Sequence, residues 1–551
     1  MNLQTLQDYI EKNAADLPQQ TWLRDRSGDQ FTEWNWSDAN NEINAVAAWL
    51  EQRYGSSKNN VVLLSRNRAH WMLADFAIIE SGNVTVPMFT TLPAPTAKYI
   101  FDFTDARLLI LGETDNWDAV QGVLPDGIDI VTLPGVEIES PHTTWEDILG
   151  ECNGQRPNCK GEPDDLVSIV FTSGTTGVPK GVMQTHESMI VPMQRAIKPF
   201  GLRDHPRFLS YLPLSHIAER QLVSVMSVLL SGTVTFNESL PTLLRDMAST
   251  KPNFFFGPPR VWEQLQQGIL AKFGSQQALD DALAKDSDGV GSQVRNMLGL
   301  DDTDYLLTAA APTPPALIHW HGKLGLVMME GFGQTEIMAT AINTTEHRKV
   351  GSIGRVVDEV ELKISDEGEM VFKAPGSSIG YYKKPEKTAE TFVNGWVHTG
   401  DKGYIDEDGF VFLTGRVKDY FKTIHGKFVA PPPIESDFAE NDWTEQLCLL
   451  GRGYSKTVIV CVLSDIARQQ DRTVIEDALL KQVEKINEEV EKHARIGAVI
   501  MTTEPWTIEN EVLTPTMKIR REQVELRFGE RAQEIARESA EKGEILLDWA
   551  G

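Results

Sequence analysis

The chain predicts a mixed α/β protein: a large N-terminal domain of helix-covered sheets, a hairpin-rich part behind it, and a smaller C-terminal α+β domain. Three observations carry that prediction. Short apolar, β-branched runs alternate with segments of helical period over much of the chain. Two of these runs end abruptly in glycine-rich polar stretches, Thr172–Gly177 and Glu330–Glu336. From about Gly354 the spacing shortens to paired strands around acidic-glycine turns. At 551 residues the chain is also too long for a single core.

In order, the N-terminal M-N-L-Q-T-L-Q-D-Y-I-E-K-N reads as a polar helix and lacks a signal pattern. Trp36–Gln52 places apolar residues at helical spacing, and Ala69–Ser81 is a second helix. Asn60–Leu64, Asn83–Phe89, Leu108–Leu111 and Ile128–Leu133 read as strands, with a Pro-rich turn at Pro93 and Pro95. This alternation implies a parallel sheet under helices. Val167–Phe171 is a further buried strand, followed by a helix His186–Phe200. Phe208–Leu214 leads into S-H-I-A-E-R, then an apolar helix Gln221–Leu230 and a strand Thr233–Asn237. Asn253–Phe256 precedes a helix Val261–Phe273, and the polar stretch 274–302 is expected to be a loop-rich excursion. Tyr305–Ala309 and Leu326–Met329 read as strands, the second entering E-G-F-G-Q-T-E. Hairpins follow around Asp366-Glu367-Gly368 and Asp406–Gly409. Beyond Arg416 come short strands (Leu447–Leu450, Val458–Val462), a charged helix (Thr473–Ala494) and Leu513–Lys518. The expected domains are 1–416 and 417–551.

The formal net charge of −27 argues against a nucleic-acid partner or non-specific attraction to an anionic membrane. Four cysteines in so long a chain do not make a disulfide scaffold. The longest apolar window, Leu222–Phe236, is interrupted by serines and Gly232 and is too short to span a bilayer. The expected location is the cytoplasm. Peripheral contact at the inner membrane face, and monomer against homodimer, stay open.

In V-S-I-V-F-T-S-G-T-T-G-V-P-K (Val167–Lys180) a strand gives way to Thr172, Ser173, Gly174, Thr175, Thr176 and Gly177, with Lys180 closing the loop. Glycines let backbone N–H groups turn toward an anion, hydroxyls add donors, and lysine supplies charge. That suits a polyphosphate, although a Ser/Thr/Gly surface turn has the same composition. The loop is not a Walker A motif, whose spacing is absent, so a P-loop motor or kinase is disfavoured.

Four patterns recur in fixed order: T-S-G-T-T-G-V-P-K, E-G-F-G-Q-T-E, H-T-G-D followed by G-R-V-K-D, and L-T-P-T-M-K. Together they resemble the adenylate-forming (AMP-binding) superfamily of acyl-CoA synthetases, peptide-synthetase adenylation domains and luciferases. The resemblance runs from the Trp71–Pro87 region to Lys518. Arg66–Gly82, Y-L-P-L-S-H-I-A-E-R (Tyr211–Arg220) and P-P-R-V-W-E-Q-L (Pro258–Leu265) resemble its long-chain fatty acyl-CoA synthetase branch. Phe332 stands where that family usually has tyrosine, Ala309-Ala310 where it has Gly-Gly, and the loop around Gly426 departs from the common pattern.

The resemblance implies ATP, Mg²⁺ and CoA, and a fatty acid that becomes acyl-AMP and then acyl-CoA. It implies a small β-barrel-like part and a mobile C-terminal domain turning about Asp419. Thr172–Gly177 and Lys180 would hold the β- and γ-phosphates. Ala310, Glu330, Gly331 and Phe332 would line the nucleotide site, with Phe332 stacked on adenine. Thr335 would donate to the α-phosphate and Glu336 would bind Mg²⁺, a hard cation suited to carboxylate oxygens. A carboxylate there could equally cap a helix N-terminus. Asp401, just before a strand, would accept from the ribose hydroxyls with Arg416 beside it. Lys518 would bridge the fatty carboxylate and the α-phosphate, and His216 would line the passage between the acyl and pantetheine sites. Rival readings are a fatty acyl-AMP ligase serving a carrier protein, an aryl or medium-chain acyl-CoA synthetase, and a silent scaffold on the same fold.

Overall fold

The computed structural model describes residues 4–55, 58–172, 179–508, 510–514 and 518–550. Contacts divide the chain into two compact units, 1–310 with 318–362 and 372–398, and 311–317 with 363–371 and 399–551.

The first unit is built on two sheets. One has seven strands, in spatial order Thr143–Thr144, Asp129–Thr132, Leu108–Leu111, Asn60–Leu64, Val84–Met88, Leu166–Thr172 and Lys180–Thr185. All neighbours are parallel except the last pair, which is antiparallel with Thr172 opposite Lys180. Successive side chains of a strand point to opposite faces, and both faces here are covered. Leu63 and Ile110 pack with the helices Trp36–Tyr54 and Ala69–Glu80, whereas Val62, Leu64 and Leu109 pack with Ala97, Ile100 and Phe101 of the helix Ala94–Thr104. The Pro93–Pro95 stretch, expected to be a turn, starts that last helix, where proline's fixed φ is tolerated.

The second sheet has nine strands and a parallel centre formed by Thr21–Ser27, Thr233–Phe236, Arg207–Ser210, Phe254–Phe256, Tyr305–Thr308 and Met328–Gln334. Antiparallel strands close both edges: Gln30–Asn35 on one side, Ile337–Ile342 and Arg355–Val356 on the other. The stretch expected to be loop-rich holds two helices, Gln276–Lys285 and Ser287–Leu298. Ser275 and Asp286 cap them by accepting from the Ala278 and Gly289 amides. The helix expected at Gln221–Leu230 begins already at Ile217, and its Arg220–Val225 stretch is π-helical.

The expected barrel-like part is a five-stranded sheet of Glu361–Ile364, Glu369–Lys373, Trp396–Ile405, Phe392–Val393 and Val411–Arg416. The boundary between the units runs through it. The rest of the second unit carries a four-stranded sheet, Thr444–Leu450, Thr457–Leu463, Ile496–Thr502 and Leu546–Trp549. Ile459, Cys461 and Leu463 face the helix Arg472–Glu489, and Val458, Val460 and Val462 face the helix Arg521–Lys542. A run buried on both faces reads as continuously apolar, which is why this strand is legible in the sequence. Among the described residues no helix is long and apolar enough to cross a membrane.

Candidate active site

Within the first unit, two strand ends from different sheets supply most of the expected residues. The strand Leu166–Thr172 ends at Thr172, and Ser173, Gly174, Thr175, Thr176 and Gly177 lie outside the described residues. The chain returns at Lys180, which opens the strand Lys180–Thr185. Its ammonium stands 5.1 Å from the centroid of the Tyr381 ring.

Thr335 and Glu336 form the tight turn between Met328–Gln334 and Ile337–Ile342, so Glu336 caps no helix. The Tyr381 hydroxyl donates to Glu336 Oε1 at 2.6 Å. The Thr335 carbonyl accepts from Gln184 Nε2 at 2.7 Å, and the Glu336 carbonyl from the Ser378 amide at 3.0 Å. Tyr381 and Gln184 therefore join the strand that begins at Lys180 to the turn that carries the expected metal carboxylate. Neither stands out in the sequence, where only a Gly-Tyr step after a polar stretch marks Tyr381. A carboxylate with one oxygen already hydrogen-bonded is a suitable hard ligand for Mg²⁺, which typically takes one or two carboxylates together with substrate phosphates.

The other expected residues of this unit are placed as follows. The Phe332 ring stacks on Phe372, with centroids 5.7 Å apart. Ala310 has φ +72°, a left-handed conformation that favours the glycine it replaces. Gly331 pairs with Ile342 inside the sheet. Glu330 turns its carboxylate away from the turn, with Oε2 accepting from the Gly351 amide at 2.8 Å. Burial pushes its carboxyl up to about 8, against the Gly351 hydrogen bond and the Arg348 charge. His216 precedes the helical stretch from Ile217 and accepts from the Ala218 amide through Nδ1 at 3.2 Å. With that nitrogen accepting, the proton of the neutral ring sits on Nε2.

In the second unit, Asp401 lies inside the strand Trp396–Ile405 rather than before it, opposite Arg416. The Arg416 Nε donates to Asp401 Oδ1 at 3.1 Å, and the Asp401 amide donates to Thr399 Oγ1. Asp401 is 4% exposed, whereas the Arg416 side chain stays partly open to solvent. The Asp419 amide donates to the Arg416 carbonyl at 3.1 Å. Lys518 is exposed, beside an antiparallel bridge between Leu513 and Ile519: the Thr514 amide donates to its carbonyl, and its own amide donates to Thr514 Oγ1. Arg521, three residues on, donates to both oxygens of Glu435 at 2.8 and 3.0 Å.

Two parallel-centred sheets whose carboxyl ends converge on a lysine, a hydroxyl and a carboxylate define a nucleotide-binding α/β enzyme. The family model of AMP-binding enzymes matches residues 10–382, and the model of their C-terminal domain matches residues 418–539. The chain belongs to the AMP-binding enzyme family. A long-chain-fatty-acid–CoA ligase of Mycobacterium bovis is 28% identical, over 90% of this chain and 91% of that protein. Fatty acyl-CoA synthetase A of Dictyostelium discoideum is 26% identical, over 88% of this chain and 83% of its own length. The fold matches that of an anthranilate CoA ligase in complex with anthranoyl-AMP, with a TM-score of 0.78 and 21% identity over 97% of this chain and 98% of that one.

Proposed function

We propose that the protein is an AMP-forming fatty acid–CoA ligase. The observation that carries the reading furthest is the meeting of Lys180 and Glu336 on one tyrosine, at strand ends of two different sheets. A cation for phosphates and a carboxylate for a divalent ion are what a reaction between two anions requires.

In the first step a carboxylate oxygen of the acid bonds to the α-phosphorus of ATP while the bond to pyrophosphate breaks. Catalysis of such a step is positioning and charge neutralisation. Thr172–Gly177 and Lys180 hold the β- and γ-phosphates, and Thr335 donates to the α-phosphate. Glu336 would hold Mg²⁺, which would supply charge neutralisation to the phosphates. Phe332 stacks on adenine with the face opposite Phe372, and Ala310 and Gly331 border the base. Glu330, whose carboxylate is turned toward Gly351, would line the nucleotide site. Asp401, oriented by Arg416, accepts from the ribose hydroxyls, and Lys518 bridges the two reacting anions. In the second step the CoA thiol attacks the acyl carbonyl and AMP leaves, after the domain beyond residue 416 has turned about Asp419. His216 borders the path of the thiol.

Acid-dependent pyrophosphate release across acids of increasing chain length, with and without CoA, tests the reading. Release that rises with long acids and turns over with CoA supports it. Adenylate formation that CoA fails to discharge favours a carrier-protein acceptor, and no release with any acid overturns enzymatic function.

A further inference from the structure

We propose that Tyr381 is the positioning residue that orients Glu336 toward the metal and holds Lys180 at the phosphates, so that metal and nucleotide affinity are set together. This rests on the reading of Glu336 as the Mg²⁺ carboxylate.

The backbone of the Thr335-Glu336 turn is already held at both carbonyls, by Gln184 and by Ser378. Gln184 is itself fixed, since its Oε1 accepts from the Ser188 hydroxyl at 2.7 Å. What those contacts leave undetermined is the direction of the Glu336 side chain. The Tyr381 hydroxyl, at 2.6 Å from Oε1, supplies it. A neutral donor on one carboxylate oxygen is a short, charge-assisted bond that orients the group without cancelling its charge.

Tyr381 can do this because it is rigid. It is 4% exposed. Its backbone bridges Val182 in antiparallel register, flanked by Met183 N–H to Gly380 carbonyl at 2.9 Å and Tyr382 N–H to Gly181 carbonyl at 2.8 Å. Its amide donates to Thr388 Oγ1 at 2.9 Å, and the Phe392 ring meets its ring edge-on. The segment Ile379–Tyr382 is thus laid along the strand that begins with Lys180. The Lys180 ammonium over the ring face gains a cation–π contact. One side chain thereby joins the two charges that must converge on the triphosphate. Residues that orient a metal ligand typically carry about 10–100-fold in metal affinity.

The experiment is calorimetric binding of ATP to the full chain with and without Mg²⁺, for wild type, Y381F, Y381L, E336Q and the E336Q/Y381F pair. Thermal melts confirm that each variant is folded. The expected result is that Y381F, which keeps the ring, lowers the Mg²⁺-dependent gain in ATP affinity by about tenfold and leaves metal-free binding near wild type. Y381L also weakens metal-free binding, because Lys180 loses the ring. In the pair, Y381F adds nothing to E336Q. In turnover, the half-saturating free Mg²⁺ of Y381F rises more than its kcat falls. An undiminished Mg²⁺ gain in Y381F, with the gain abolished in E336Q, overturns the role of Tyr381 while the reading of Glu336 stands. A gain that survives in E336Q overturns the reading of Glu336 and the proposal with it.

Discussion

Glu80 ends the helix Ala69–Glu80 at 3% exposure, and neither carboxylate oxygen has a hydrogen-bond partner among the described residues. Burial pushes its carboxyl up to about 8, with Glu11 adding to the rise and Arg156 opposing it. A carboxyl raised in the folded state binds its proton more tightly there than in the unfolded chain. Its contribution to stability therefore worsens as pH rises from the unfolded carboxyl range toward about 8. Glu80→Gln is expected to stabilise the protein on the order of 3 kcal/mol at pH 7, since each tenfold difference in proton affinity between the folded and unfolded chain is worth about 1.4 kcal/mol. The gain should vanish near pH 4, and denaturant unfolding at several pH values measures it. A gain independent of pH would mean that the charge on Glu80 is not its cause. Lys518 makes the other residue-scale case. Lys518→Ala should lower adenylate formation by about 10²–10³ while ATP still binds, the size expected for one lost transition-state donor. Stopped-flow pyrophosphate release beside equilibrium ATP binding separates the two, and near-normal release would remove Lys518 from the mechanism.

Among the elements, the helical stretch from Ile217 is joined to its neighbours by one buried guanidinium. Arg220, 1% exposed, donates to both oxygens of Asp75 on the helix Ala69–Glu80 and to the Ser168 hydroxyl on the strand Leu166–Thr172. Ser168 in turn donates to the Thr85 carbonyl of the next strand. Burial pushes the Asp75 carboxyl up, and Arg220 is the main force opposing that. Removing one partner of such a pair leaves an uncompensated buried charge, so Arg220→Met should cost about 3–5 kcal/mol. Replacing Asp75 by Leu in the same chain should recover most of the loss, because well-packed apolar groups often match a buried pair. Urea unfolding of the single and double variants decides it: a double variant no more stable than Arg220→Met would point to lost packing instead.

At the scale of the whole molecule, the proposed two-step reaction needs the C-terminal domain to present Lys518 first and another surface afterwards. Asp419 donates its amide to the Arg416 carbonyl at the junction of the five-stranded sheet and the rest of the second unit. Asp419→Pro removes that N–H and restricts φ. The expected outcome is acyl-AMP formation near the wild-type rate with thioester formation reduced at least about tenfold, as for a blocked hinge. Single-turnover assays of each half-reaction measure this. Equal loss of both steps would assign Asp419 a structural role only.

What the sequence by itself determined is local. Strands buried on both faces, such as Val458–Val462 and Leu108–Leu111, show as continuous apolar runs, and helices with broad apolar stripes show by period. Residue order also singled out Thr172–Lys180 as a stretch suited to a polyphosphate and Glu330–Glu336 as a strand-to-glycine transition. Helices with thin stripes escaped notice. Gln276–Lys285 buries only Leu279, and Arg521–Lys542 shows five buried positions in 22 residues, so polar composition hid both. Only the tertiary structure decided who meets whom. Tyr381 reaches Glu336 across 45 residues of chain, and Arg220 reaches Asp75 across 145. Periodicity and turn chemistry act over a few residues, whereas these partners are set by which strands lie side by side and by how far each crossover carries the chain.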